Sequence, residues 1–114
     1  MHKEDITYID HAVSCIRKIR KYMKGVSKQK FINDDLLQDA VIRNIEIIGE
    51  ASRNISLECK NKYAHIPWKE ITGMRDKLIH HYMGVDVDVI WSTIKQDIPM
   101  LEKELKAIKM DFNK

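Results

Sequence analysis

Asp34-Asp35-Leu36-Leu37-Gln38-Asp39-Ala40-Val41-Ile42-Arg43-Asn44-Ile45-Glu46-Ile47-Ile48-Gly49-Glu50-Ala51 is the stretch on which the fold turns. Leu36, Leu37, Ala40, Val41, Ile47, Ile48, Ala51 and Ile55 recur on one face of a helix, and Asn33 or Asp34 is a good cap for its start. This helix is expected to fade around Cys59. Asn44 falls in the middle of the apolar stripe. A buried amide without partners costs on the order of 1–3 kcal/mol. Either a neighbouring helix bonds it, or it positions a catalytic group at the inner face of a bundle.

The same periodicity extends outward in both directions. Upstream, Ile6, Ile9, Val13, Ile16, Ile19 and Met23 predict a helix from about Glu4 to Lys24, stopped by Gly25. Ser27 to Ile32 reads as a loop or a short turn of helix. Downstream, Pro67 suits a first helical position, and a helix is predicted from there through Ile79, with Gly73 a weak spot and Gly84 a stop. A fourth helix, from Asp86 or Asp88 to about Met110, carries Val87, Ile90, Trp91, Ile94, Ile98, Leu101, Leu105 and Ile108. Pro99 inside it removes one hydrogen bond and predicts a kink one turn earlier. Trp68 and Trp91 fit core positions.

With 114 residues, 44% hydrophobic and 32% charged, the chain suits a single domain, residues 1–114, with one core. Only 4 Gly and 2 Pro favour long helices over many short strands. The expectation is an all-α bundle of four long helices with short connections. No apolar run reaches the roughly 18–20 residues that a membrane span needs, and the charged start Met1-His2-Lys3-Glu4-Asp5 does not resemble a signal peptide. A cytoplasmic protein without membrane partners is therefore expected. Cys15 and Cys59 read as free, half-buried thiols.

The net charge of +3 does not by itself identify a nucleic-acid partner. Its distribution is uneven. Arg17, Lys18, Arg20, Lys21, Lys24, Lys28 and Lys30 fall in one stretch with no acidic residue. They form either a phosphate-tracking patch or a solvated helix end whose cations suit the helix dipole.

The densest chemistry lies in Arg75-Asp76-Lys77-Leu78-Ile79-His80-His81-Tyr82. On an unbroken helix, Arg75 and Tyr82 point within about 20° of each other, along the apolar stripe of Ile71, Leu78 and Ile79. An arginine there needs a partner. His80 would lie about 140° round from Arg75. The two converge on one group only if the helix ends near His80 or a second copy of the chain shares the site. Arginine offers a charged fork that fits phosphate, and histidine exchanges a proton near neutral pH. Together they suffice, without a metal or other cofactor, to cleave RNA, whose own 2′-hydroxyl is the nucleophile. His80 and His81 diverge by about 100°, so both cannot bind one ion. No metal site is expected.

Arg75, four residues, His80, one residue and Tyr82 match the Arg-x4-His-x-Tyr signature of the HepT-like toxins of the HEPN superfamily. Ala40 to Ala51 resembles the second-helix block of that family. Ile66 to Arg75 resembles its approach to the motif, and Gly84-Val85-Asp86 with Ile90-Trp91 its exit. The resemblance implies an antiparallel HEPN bundle of four to five helices that forms a homodimer, with both motifs lining one cleft. It implies a metal-independent RNA endonuclease, the toxin of a type VII (HEPN/nucleotidyltransferase) toxin–antitoxin system. Arg75 would hold the phosphate and His80 would act as general base or acid. Tyr82 would orient substrate and accept AMP from the cognate nucleotidyltransferase antitoxin. Asp76 and Asn44 would play supporting roles. The alternative is a non-catalytic, nucleotide-binding or adaptor subunit of a nucleotidyltransferase.

Overall fold

Apolar residues spaced three and four apart give the chain three long helical rods, joined to one another by hydrogen bonds and ion pairs. A computed structural model describes residues 2–80 and 84–113, without the side chains of Ile79 and His80. Helix α1 (Lys3–Met23) buries Ile9, Val13, Ile16, Ile19 and Met23, and ends where Gly25 takes a positive φ of 73°. After the short α2 (Lys28–Ile32), helix α3 (Asp35–Arg53) starts at Asp34, whose side chain accepts from the Leu37 N–H. The expected stripe holds except at Leu36, which is 81% exposed. Leu36 sits on the outer side of the first turn of α3, away from Val41, Ile45 and Ile48 in the core.

The second helix does not run on to Cys59. It stops at Arg53, and Ser56 caps a separate α4 (Leu57–Lys62), accepting from the Cys59 N–H. The physical reason is a competing partner. Asp5 of α1 is fully buried and accepts from both the Ser56 N–H (2.7 Å) and the Ser56 hydroxyl (2.6 Å). That pair ties the start of α1 to the end of α3, so the two run antiparallel.

The third segment is also broken. Helix α5 (Trp68–Thr72) ends at Gly73, the expected weak spot, and α6 (Met74–Leu78) follows at once. Helix does not extend through Ile79. Ile79–His80 (β1) instead pairs antiparallel with Gly84–Val85 (β2), with His80 opposite Gly84. Gly84 has a φ of 78°, a conformation that suits glycine. It closes this two-residue ladder and is no helix stop.

The last of the three rods is α7 (Val87–Ser92), a π-helical segment (Thr93–Asp97) and α8 (Ile98–Phe112). The expected disturbance one turn before Pro99 takes the form of this wider turn, in which the Ile98 N–H reaches the Thr93 carbonyl. A wider turn makes room for a ring that would clash with the carbonyl four residues back. Arg20 pairs with Glu102, and Lys109 with Asp10 at 2.6 Å. Hence α8 also runs antiparallel to α1.

The fold is all-α apart from the small ladder, with α1 packed on α3 and α8, and α5–α6 laid against α3. Trp68 is buried and donates to the Tyr63 carbonyl at 3.1 Å. Trp91 is partly exposed and tilts against Phe31, with ring centroids 5.9 Å apart. Cys15 and Cys59 are free and fully buried, and burial pushes both thiols up. Among the described residues no helix is long and apolar enough to cross a membrane.

Candidate functional site

Gly49 lets α5 come close to α3. A Cβ at this position would lie 3.3 Å from the Thr72 carbonyl oxygen and 3.6 Å from that of Ile71. The close approach carries α6, the next element, across the side of α3. Arg75 then reaches Glu46, with its Nε 3.1 Å from Oε2 of the carboxylate.

The partner demanded for Arg75 therefore exists, but for a different reason from the one expected. The break at Gly73 resets the helix phase, so that Met74 and Leu78 point inward while Arg75, Asp76 and Lys77 are exposed. Arg75 is not planted in an apolar stripe. About half of its side chain (49%) remains accessible.

Arg75 and Asp76 line a cleft of about 380 Å³ that also takes in Tyr8 and His11 of α1 and Arg43, Glu46, Glu50 and Arg53 of α3. The cleft mixes cations and anions. Arg53 pairs with Glu50 at 2.8 Å, while Arg75 approaches Asp76 only to 3.8 Å, beyond hydrogen-bond range. Glu46 thus engages the guanidinium through Nε. About half of the Arg75 side chain stays accessible at this cleft, and a guanidinium has the fork geometry that fits a phosphate.

Asn44 lies two residues before Glu46 but is buried and does not line the cleft. Its amide donates to the Ala40 carbonyl of its own helix at 2.9 Å, where a bond to a neighbouring helix had been one of the two expectations. The backbone of His80 continues directly from α6 as β1, so the helix ends before His80. Tyr82 lies outside the described residues. His65 is remote from the cleft and pairs with Glu104 at 2.9 Å.

Sequence reasoning gave no role to Glu46, Arg43, Arg53 or His11. The signal for Glu46 was present: an arginine in need of an anion, and a carboxylate one helical turn before Glu50. Only the packing of α6 on α3 selects between the two. Among the described residues, no three His, Cys, Asp or Glu side chains gather into a potential metal site.

The family described as Ribonuclease HepT-like matches residues 13–108, which take in every residue of the cleft except Tyr8 and His11. This chain belongs to the HepT-like ribonuclease family. It is 46% identical over 101 residues to a protein of Caldanaerobacter subterraneus subsp. tengcongensis named "Putative RNase", covering 89% of this chain and 90% of that one. It is 43% identical over 108 residues to a protein of Thermococcus cleftensis named "Probable ribonuclease HepT", covering 95% and 96%. A Methanocaldococcus jannaschii protein named "Gamma-glutamylcyclotransferase and putative RNase" is 45% identical over 114 residues. This HepT-like chain spans 51% of that relative's length, so the match leaves about half of the longer protein uncovered. No solved structure matches.

Proposed function

We propose that this HepT-like protein is a metal-independent RNA endonuclease, the toxin of a type VII toxin–antitoxin pair, and that it acts as a homodimer. The observation that supports this best is the Arg75-x4-His80-x-Tyr82 signature in a chain of this family, with Arg75 held half-exposed at an open cleft.

The chemistry follows from the residue types. His80 takes the proton of a ribose 2′-hydroxyl, and the 2′-oxygen forms a bond to the adjacent phosphorus. The bond from phosphorus to the 5′-oxygen of the next nucleotide breaks, leaving a 2′,3′-cyclic phosphate, and the imidazolium formed on His80 returns its proton to the departing 5′-oxygen. Arg75 offsets the charge that builds on the non-bridging oxygens. Asp76, next to Arg75 at the cleft, and Asn44, buried on α3 two residues before Glu46, play supporting roles. Tyr82 orients the substrate and is the acceptor of AMP from the cognate nucleotidyltransferase. A bulky anionic group there blocks a phosphate site by size and by like charge.

The decisive experiment incubates the purified protein with RNA in the presence of a chelator. Cleavage is expected, with loss on 2′-deoxy substitution at the cut site and loss in Arg75→Ala and His80→Ala. Undiminished cleavage by His80→Ala would sink the mechanism. An adaptor subunit would show no cleavage, and its forced expression would leave growth unaffected.

A further inference from the structure

The basic stretch noted in the sequence does not contribute to the cleft. Arg17, Arg20 and Lys21 of α1 and its C-cap Lys24 instead line a separate groove of about 760 Å³ against the π-helical segment, whose Lys95 joins them. None of the residues lining this groove is a carboxylate, and its floor is apolar. Arg20 is partly neutralised by Glu102. No ion pair involves Arg17, Lys21, Lys24 or Lys95 among the described residues, and the Lys95 ammonium sits 4.6 Å from the centroid of the Trp91 ring.

Helix-dipole compensation accounts for cations in the last turn of α1, namely Arg20 and Lys21. It does not account for Arg17, a turn earlier, or for Lys95, which comes from another element and faces the same groove. Arg17 and Lys24 are seven residues apart, about 10 Å along the helix. A row of anions spans that distance and a single phosphate does not.

We infer that this groove binds the phosphate backbone of the RNA strand away from the scissile bond. The inference rests on RNA being the substrate. The groove and the cleft lie on opposite flanks of α1. Lys18, seven residues beyond His11 and within about 20° of its direction, stands exposed on the way from one to the other. A strand crossing the outer face of α1 would meet cations along its path.

The test measures binding of a fluorescent single-stranded RNA by anisotropy, in an Arg75→Ala background so that the probe stays intact. Replacing Arg17, Lys21 and Lys24 together by Gln is expected to weaken binding at least about tenfold at moderate salt. The slope of log affinity against log salt should flatten by about two, near 0.7 for each lost phosphate contact. Lys24→Gln alone should give a smaller loss in the same direction, which covers the case of a triple variant that misfolds. A control with the same change in net charge, Lys3, Lys69 and Lys103 to Gln, should bind as the parent does. Equal losses in both triple variants, or none in the groove variant, would overturn the groove. Should the parent fail to cut RNA while the groove variant alone loses binding, the nuclease reading falls and the groove stands.

Discussion

Arg75 keeps about half of its side chain in water, so its ion pair with Glu46 contributes little to stability. Partly exposed pairs contribute about 0–1 kcal/mol. Arg75→Ala and Glu46→Gln should each shift the unfolding free energy by less than about 1 kcal/mol in urea titrations. Loss of RNA cleavage in Arg75→Ala would then report chemistry and not unfolding. A destabilisation of several kcal/mol would show that the pair is structural. Tyr63 behaves differently. It is buried, its hydroxyl donates to Asp111 at 2.9 Å, and burial with that bond pushes its pKa up to about 12. A raised folded-state pKa gives stability that is fully present below the ordinary value of 10 and is lost as pH rises towards 12. Tyr63→Phe should be about 1 kcal/mol less stable at pH 7 and should lose stability less steeply between pH 10 and 12. Parallel slopes for the two proteins over that range would remove Tyr63 from the alkaline transition.

Two short junctions decide how the elements meet. At the first, the Ser56 hydroxyl caps α4 and donates to buried Asp5, joining two helix ends. Ser56→Ala removes a cap contributing about 1 kcal/mol and one bond to a buried carboxylate contributing about 1–3 kcal/mol. A total loss of about 2–4 kcal/mol is expected in denaturant melts, and a loss under 0.5 kcal/mol would refute the staple. At the second, Gly49 sets the distance from α3 to α5. Gly49→Val pushes a side chain against the backbone carbonyls of Thr72 and Ile71, and overpacking of this kind costs about 1–3 kcal/mol. Because α6 follows α5 immediately, RNA cleavage should fall more than stability does. These junctions were only partly legible in the sequence. Gly73 announced a weak point and Pro99 a disturbance one turn before it. The end of α3 at Arg53 was hidden, because apolar periodicity continues through Ile55 and Cys59 while the partner that interrupts it, Asp5, is 51 residues away.

For the whole molecule, the proposed mechanism has Arg75 and His80 act either within one subunit or across two. A direct experiment mixes two inactive variants, Arg75→Ala and His80→Ala, under conditions that exchange subunits. If each site takes its arginine from one protomer and its histidine from the other, a mixed dimer contains one intact site. Activity should then return to about a quarter of the parent level for random pairing in equal amounts. No recovery, with exchange verified, would place both groups in the same subunit. Sedimentation of the parent protein as a monomer would overturn the dimer altogether.

The helical class, the positions of the long rods and the motif Arg75-x4-His80-x-Tyr82 were written in local order: apolar spacing, cap residues and a short signature each act over a few residues. The pairing of Arg75 with Glu46, the end of α3 at Arg53 and the basic groove against Lys95 were settled only by packing. Each depends on a break in helix phase or on the approach of segments far apart in the chain, and neither leaves a period in the sequence.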